Sequence, residues 1–263
     1  MQPLLNYKIT EPTVPKHPIP ILLMHGLFGD MNNLGMIARG LEEYRVIQID
    51  ARNHGDSFHS DTMTYEAMAQ DIIALLDALD IEKVILIGHS MGGKAVMKVT
   101  QFAPERVAEL IMIDVAPVAY EERRHDEILA ALKTVTASTA ADRKEAAEIM
   151  RHYIDAEFVI QFLLKSFREG AWRFNVPILD RDYDEVAGWR TIPTWHGPAL
   201  FIIGGDSPYV LKEYQAEIQA QLPDATATVI AGAGHWVHAQ KTDLVLKAIH
   251  RFLSDNEATI ESP

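Results

Sequence analysis

Short runs of hydrophobic residues alternate along the chain with longer segments in which apolar positions recur every three to four residues. Each short run is apolar almost throughout, as expected for a strand that is covered on both faces of a parallel sheet. The runs predict strands at residues 19–24, 45–49, 84–87, 110–113, 200–203 and 227–230. Strands alternating with helices are typical of an α/β protein whose mostly parallel sheet has helices on both faces.

Two of the predicted helices have clear apolar faces. The first lies between the second and third strands, and Thr64 is placed at its N-cap. Its apolar positions follow helical spacing: Met68, Ile72, Leu75, Leu76 and Leu79. The second lies near the end of the chain and has an equivalent stripe: Val245, Ala248, Ile249 and Phe252. Both stripes predict packing against a core and imply no chemistry.

The strand and helix alternation stops between residues 118 and 190. This segment is charged, helical in pattern and interrupted by glycine and proline, so we interpret it as an insertion between two strands. An insertion at the carboxyl edge of an α/β sheet lies over the crevice where ligands bind. We therefore predict a core of residues 1–117 and 191–254, a helical cap of residues 118–190, and a flexible polar tail of residues 255–263.

The composition of the chain limits the kinds of partner and chemistry that are expected. The 263 residues are 48% hydrophobic, enough for a large core, and the net charge of −13 disfavours nucleic acid and anionic membranes. No apolar run approaches the roughly 20 residues needed for membrane insertion, and no secretory signal is recognisable, so a cytoplasmic location is expected. Since cysteine is absent, disulfides and thiolate chemistry are excluded.

The string GHSMG at residues 88–92 directly follows the predicted strand at 84–87. A serine between two glycines, after a strand and before a helix, is the pattern of a nucleophile elbow. The sharp turn exposes the serine hydroxyl, and the glycines avoid collisions with neighbouring backbone. The same pattern also occurs as a plain packing turn or a phosphate cradle. The flanking strand and helix favour Ser90 as a nucleophile.

A second string, HGLFG at residues 25–29, follows the first predicted strand. In hydrolases with this elbow, a backbone N–H from the loop after the third strand joins the N–H after the nucleophile to form an oxyanion hole. Here those donors would belong to Leu27 and Met91. Each would contribute about 10²–10³ in rate. A glycine loop shaped only for packing is the alternative, and the position after the strand favours the functional interpretation.

A third string, GAGHW at residues 232–236, follows the last predicted strand. A serine needs a base that titrates near neutral pH, and imidazole meets that need. His235 lies late in the chain, where the order serine, acid, histidine places the base. His238 is its nearest competitor.

Residues 50–57 form another polar string at a strand end. We expect Asp50 and Arg52 to tie together the loops beneath the site. His54 is a possible base, but a histidine held by local hydrogen bonds is the favoured interpretation.

The acid must be a carboxylate at a strand end, where it can hold the imidazole in one tautomer. Two candidates meet that requirement: Asp114, after the strand at 110–113, and Asp206, after the strand at 200–203. From position alone, both remain open.

The chain as a whole resembles the α/β-hydrolases, and in particular the YbfF-type esterase and thioesterase family. The resemblance spreads over residues 20–240 and rests on six strings: residues 25–29, 50–57, 88–94, 113–117, 204–210 and 234–235. It implies an α/β-hydrolase sheet with a helical cap inserted after the sixth strand. It also implies that Asp114 is the acid and Ser207 a hydrogen-bonding accessory, with Asp206 as the alternative acid.

The resemblance further implies hydrolysis of short acyl esters or acyl-CoA thioesters through an acyl-enzyme on Ser90, with no metal or organic cofactor. A small-molecule ester or acyl-CoA is thus the expected partner. Two alternatives stay open: a carbon–carbon bond hydrolase of the same fold, and a catalytically silent binding protein. Dehalogenases and epoxide hydrolases are disfavoured, because their nucleophile is an aspartate.

Several residues are expected to contact substrate: His25, Phe28, Arg124, Trp172, Trp236 and His238. Large apolar residues of the insertion are candidate walls for an acyl chain, or else cap core: Phe158, Phe162, Leu163, Phe167, Trp172, Phe174 and Trp189. The basic cluster at residues 123–125 is a candidate contact for CoA phosphates, with a solvated surface cluster as the alternative.

Overall fold

The computed structural model describes residues 3–14 and 17–260. Its strands are β1 (Tyr7–Thr10), β2 (Ile21–Met24), β3 (Val46–Ile49), β4 (Val84–His89), β5 (Val107–Ile113), β6 (Phe167–Arg168), β7 (Ala171–Trp172), β8 (Ala199–Gly204) and β9 (Ala225–Ile230). The main sheet has the order β1-β3-β2-β4-β5-β8-β9, and β6 and β7 form a separate hairpin. β1 is antiparallel to β3, and the other neighbouring strands of the main sheet are parallel.

All six predicted strands are confirmed, with ends that shift by a few residues. β1 was missed because its residues are polar and largely exposed at a sheet edge. The expectation of burial on both faces is wrong for β9, whose residues 226–229 are exposed because it forms the opposite edge.

The helices are α1 (Gly35–Arg39), α2 (Tyr65–Ala78), α3 (Met91–Phe102), α4 (Asp126–Ala137), α5 (Arg143–Met150), α6 (Glu157–Leu164), α7 (Val176–Arg181), α8 (Tyr183–Ala187), α9 (Gln215–Gln221), α10 (Val237–Gln240) and α11 (Thr242–Ile260). Short 3-10 turns occur at Met31–Leu34, Pro104–Arg106 and Lys212–Tyr214. Thr64 caps α2 as predicted, since its hydroxyl accepts from the Ala67 N–H at 3.1 Å. Such a cap stabilises a helix by about 1 kcal/mol.

The core has one cluster on each face of the sheet. The apolar stripe of α2, with α3 and the insertion, covers the first face, where Leu22, Leu86 and Met112 are buried. α1 and the stripe of α11 cover the second, where Ile85 and Ile111 are buried. The central strands are thus apolar on both sides, as their sequence indicated.

Residues between β5 and β8 form α4 to α8 and the β6–β7 hairpin. In α/β-hydrolases the loop after the third strand supplies an oxyanion donor, and here the corresponding loop follows β2. The strand numbers used for α/β-hydrolases are therefore higher by one than the numbers used here. The strand expected as the sixth is therefore β5. The end of the insertion is tied to α3, because the Lys94 ammonium donates to the carbonyls of Ala187 and Gly188 at 3.1 and 2.9 Å.

The predicted flexible tail of residues 255–263 remains a prediction, and its residues 255–260 belong to α11. Residues 261–263 lie outside the described residues. No helix in the described ranges combines the length and apolar character needed to cross a bilayer.

Candidate active site

Ser90 occupies the turn between β4 and α3. Its φ of 55° and ψ of −119° lie where non-glycine residues are rarely found, so the turn holds the serine in a strained conformation. Close packing requires glycine on both sides. A Cβ at Gly92 would lie 2.2 Å from the Met24 carbonyl oxygen, and a Cβ at Gly88 would lie 2.2 Å from that of Gly92. The serine thus sits at the N-terminus of α3, whose first N–H groups have no helical acceptor.

A hydrogen-bonded chain joins Ser90, His235 and Asp114. The Ser90 hydroxyl lies 2.9 Å from Nε2 of His235, and Nδ1 of the same ring lies 2.6 Å from Oδ2 of Asp114. Since a carboxylate only accepts, Nδ1 carries the proton and Nε2 is free to accept from the serine. The three side chains come from loops after three different strands, β4, β5 and β9.

Asp114 is fully buried and collects three donors. Besides His235, the Gly204 N–H donates to Oδ1 at 3.0 Å and the Ser207 hydroxyl donates to Oδ2 at 2.5 Å. These three donors fix the orientation of the carboxylate beside the imidazole. The alternative acid, Asp206, is exposed and makes no contact with the imidazole. Its backbone N–H donates to the Ala233 carbonyl at 2.9 Å.

Two neighbours fix the orientation of His235. The Tyr209 ring stacks on the imidazole with centroids 3.9 Å apart and planes 22° apart. Nε2 of His89 donates to the backbone carbonyl of His235 at 2.8 Å. His89 is the variable residue of the elbow string, so the elbow and the loop that carries His235 are linked directly.

The loop after β2 lies against the elbow, since a Cβ at Gly26 would be 3.3 Å from the Ser90 Cβ. The backbone N–H groups of Leu27 and Met91 have no acceptor among the described residues. Two buried imidazoles hold this loop. His25 donates to the Gly26 carbonyl at 2.7 Å and accepts from the Ala51 N–H at 3.0 Å.

His54 makes the reciprocal link. It donates to the Arg52 carbonyl at 2.9 Å and accepts from the Phe28 N–H at 3.0 Å. Phe28 has a φ of 65°, so this bond holds a strained backbone directly after Leu27. Both ring nitrogens are in use, and His54 is placed as a local support rather than as a base. Asp50 is tied to the neighbouring loop as expected, accepting from the Met31 N–H at 2.8 Å.

Burial lowers the pKa of the histidines around the site. It lowers the pKa of His54 to about 3, and those of His125 and His238 to about 4. Desolvation also lowers the pKa of His25 and His89. Desolvation is the largest cause in each case, and the charges of Asp50 and Asp30 near His25 and of Asp126 near His125 offset only part of it.

Ser90 lies where two cavities meet. The first is a small pocket of about 40 Å³ with an aromatic wall of Tyr65, Tyr120, Tyr183 and Tyr209, and with Lys94 and Arg124 in its lining. Burial lowers the pKa of Lys94 to about 7.

The second cavity is an open groove of about 680 Å³. Ser90, His235 and Leu27 lie along it, as do the aromatic residues Phe158, Phe162 and Trp236. Of the residues expected to contact substrate, His25, Trp236 and His238 line this groove and Arg124 lines the small pocket. His25 presents only carbon atoms for contact, because both of its nitrogens are bonded to backbone.

Two expected substrate contacts lie outside both cavities. Trp172 stacks on Phe174 with centroids 5.1 Å apart, and its indole N–H donates to the Leu132 carbonyl at 3.3 Å. Phe28 is only 2% exposed and also packs on Phe174. Both are part of the packing beneath the insertion.

The other residues considered as walls for an acyl chain lie in the core or are hydrogen-bonded away from the groove. Leu163, Phe167 and Phe174 are buried in the core, whereas Trp189 donates to the Gln221 side chain at 2.8 Å. The basic cluster is also largely neutralised. Arg123 pairs with Asp126 and Asp184, and Arg124 pairs with Glu122.

The sequence reasoning missed the aromatic pocket and Lys94. The lysine lies one helical turn after Ser90, so its place beside the elbow was readable from spacing. Its tyrosine neighbours come from distant parts of the chain, and no local pattern connects them.

A mostly parallel sheet with a strained serine elbow and a Ser–His–Asp chain at its carboxyl edge defines an esterase-type hydrolase of the α/β class. Residues 19–242 match the alpha/beta hydrolase fold family, and the chain belongs to that family.

Within the family the chain is of the YbfF type. It is 56% identical to Esterase YbfF of Escherichia coli (strain K12) over 90% of this chain and 93% of that protein. It is 36% identical to the sn-1-specific diacylglycerol lipase ABHD11 of Xenopus laevis, covering 89% of this chain and 79% of that protein. A solved structure, a marine microorganism esterase, matches with a TM-score of 0.89 and 35% identity, covering 95% of this chain and all of that one.

Proposed function

We propose that this protein hydrolyses carboxylic esters and thioesters, including acyl-CoA, through a covalent acyl-enzyme on Ser90. The observation that carries the proposal is the chain from the Ser90 hydroxyl to His235 at 2.9 Å and from His235 to the buried Asp114 at 2.6 Å. The names of the relatives, esterase and lipase, support it.

In the proposed mechanism, Nε2 of His235 takes the proton of Ser90 as the hydroxyl oxygen attacks the carbonyl carbon. Asp114 stabilises the imidazolium. The carbonyl electron pair moves onto oxygen, where the N–H groups of Leu27 and Met91 receive it. His235 then protonates the departing alcohol or thiol. Water repeats the sequence on the acyl-enzyme, releases the acid and restores Ser90.

We assign the two halves of the substrate to the two cavities according to their sizes. A volume of about 40 Å³ is far below the roughly 150 Å³ that accommodates benzene in an engineered protein cavity. Only a short acyl group fits the small pocket, which favours acetyl-sized and slightly larger acyl esters. The groove of about 680 Å³ then receives the leaving group, which is the larger half.

The test is covalent labelling by a fluorophosphonate probe together with turnover of p-nitrophenyl acetate. Ser90→Ala is expected to abolish labelling and to reduce kcat by at least 10³-fold, because it removes the nucleophile. Ser254→Ala, at an exposed position of α11, serves as the matched control and should behave like the wild type. Labelling that persists in Ser90→Ala would disprove the assignment, and a wild type that neither labels nor turns over would indicate a silent binding protein.

A further inference from the structure

Three cations line the groove that contains Ser90: Arg143, Lys165 and Arg168. None of them forms an ion pair with any carboxylate of the described residues. Most other arginines are paired: Arg45 with Glu11, Arg52 with Asp71, Arg106 with Asp77, Arg151 with Glu157 and Arg173 with Asp56. Three unpaired cations in one groove are unexpected for a chain with a net charge of −13.

Hydrogen bonds to backbone link the two segments that carry the three cations. Arg143 is the first residue of α5, and its guanidinium donates to the carbonyls of Phe167 and Lys165 at 3.1 and 3.2 Å. These bonds tie α5 to the segment that carries Lys165 and Arg168. The arginine therefore contributes charge to the groove and also holds the backbone of the segment that carries the other two cations.

The groove offers little to neutralise them. The carboxylate in its lining, Asp30, is engaged in capping a 3-10 turn, where it accepts from the Asn32 N–H at 2.8 Å. The groove also has an apolar stretch, where Phe158 and Trp236 meet edge to face with centroids 5.1 Å apart. Phe158 is 61% exposed. The groove thus suits a ligand with an apolar part and an anionic end.

We infer that Arg143, Lys165 and Arg168 form a phosphate-binding site for the leaving group of the substrate. This inference rests on the proposed function, since it assigns the groove to the leaving group. Phosphate is the anion that fits, because a phosphate monoester carries −1.5 to −2 charges and three acceptor oxygens, whereas a carboxylate carries one charge. The substrate class is then an ester or thioester of a phosphorylated alcohol or thiol.

Two matched substrate pairs test the site and identify the source of the phosphate. S-acetyl-4′-phosphopantetheine and S-acetylpantetheine share the thioester and differ only in one phosphate. Dibutyryl phosphatidate and dibutyrylglycerol share the esters and differ in a phosphate headgroup. For each pair, the ratio of kcat/KM for the phosphorylated to the phosphate-free substrate is measured. The pair in which the wild type prefers the phosphorylated member identifies the source of the phosphate as a phosphorylated thiol or as a phospholipid.

The double charge reversal Lys165→Glu and Arg168→Glu is expected to lower that ratio at least ten-fold, through KM. The control Lys144→Glu and Lys247→Glu changes net charge equally at exposed positions outside the groove and should leave the ratio unchanged. Raising salt should lower the wild-type ratio and not that of the groove variant, because salt screens charge pairs at exposed sites. An equal ratio in groove variant and wild type, or no preference for phosphate in either wild-type pair, would overturn the inference.

Failure of the proposed function gives a different result. In that case the wild type hydrolyses no member of either pair. Binding of CoA itself, followed by calorimetry on the wild type and on the Lys165→Glu and Arg168→Glu variant, then decides the inference alone. CoA binding that is lost in the groove variant supports the phosphate site. The inference is contradicted if the wild type binds neither CoA nor phosphatidate. It is also contradicted if the groove variant binds CoA as the wild type does and phosphatidate does not bind.

Discussion

The substitution Asp114→Asn tests the acid by a tautomer argument. The carboxylate accepts from Gly204 on one oxygen and from His235 and Ser207 on the other. An amide has one accepting atom and one donating group. If its oxygen faces the Gly204 N–H, its NH₂ faces Nδ1 of His235. The imidazole must then accept at Nδ1 and carry its proton on Nε2, where it can no longer take the proton of Ser90.

The opposite orientation of the amide keeps the correct tautomer but directs two donors at each other across the 3.0 Å between Gly204 and the side chain. A buried donor without an acceptor costs about 1–3 kcal/mol, a factor of roughly 5–150. The negative charge that stabilises the imidazolium is lost in both orientations. Together these effects predict a decrease in kcat of about 10³-fold, and up to about 10⁴-fold where the wrong tautomer dominates.

Steady-state hydrolysis of p-nitrophenyl acetate, with circular dichroism as the fold control, measures the effect. Asp206→Asn is the matched control, and its kcat should stay within about two-fold of the wild-type value. The Asp206 carboxylate is exposed and is not part of the hydrogen-bonded chain of Ser90, His235 and Asp114. Ser207→Ala should lower kcat by about ten-fold, since one charge-assisted hydrogen bond to the acid is lost. Full activity in Asp114→Asn together with a large loss in Asp206→Asn would refute the reasoning.

Two further predictions concern stability. Gly92→Ala places a Cβ 2.2 Å from the Met24 carbonyl oxygen and should destabilise the fold by about 3 kcal/mol or more, measured by thermal unfolding. Gly35→Ala is the control, because its Cβ would lie 3.4 Å from the flexible side chain of Arg39. Equal melting temperatures of the two variants would contradict the argument. Burial, and then Glu257, raise the pKa of Glu109 from 4.5 to about 7. Between pH 4.5 and pH 7, Glu109 holds its proton in the folded protein and has released it in the unfolded protein. Raising the pH through this range therefore favours the unfolded state and lowers the free energy of unfolding. In urea unfolding, Glu109→Gln should therefore gain about 2.5 kcal/mol on the wild type between pH 5 and pH 8, and a constant difference would exclude the effect.

Local patterns predicted the sheet and the elbow well, because buried parallel strands and a glycine-flanked serine leave continuous signals in the sequence. β1 gave no such signal, since an exposed edge strand needs no apolar run. The choice between Asp114 and Asp206 depended on which side chain points to the imidazole, and strand-end position is the same for both. The cations of the groove were missed for a related reason: Arg143 and Arg168 line one groove only because the insertion folds back on itself, which brings Arg143 to the Phe167 carbonyl.

His235 is one of several histidines near Ser90, and its hydrogen-bond partners set it apart from the others. Five others lie around the site, all with a pKa lowered by burial: His25, His54, His89, His125 and His238. None of these five rings is hydrogen-bonded to a carboxylate of the described residues. His235 differs in its partners, because its Nδ1 lies 2.6 Å from Oδ2 of Asp114 and its Nε2 lies 2.9 Å from the Ser90 hydroxyl. The position of one buried carboxylate therefore distinguishes His235, the base of our proposed mechanism, from the five other rings.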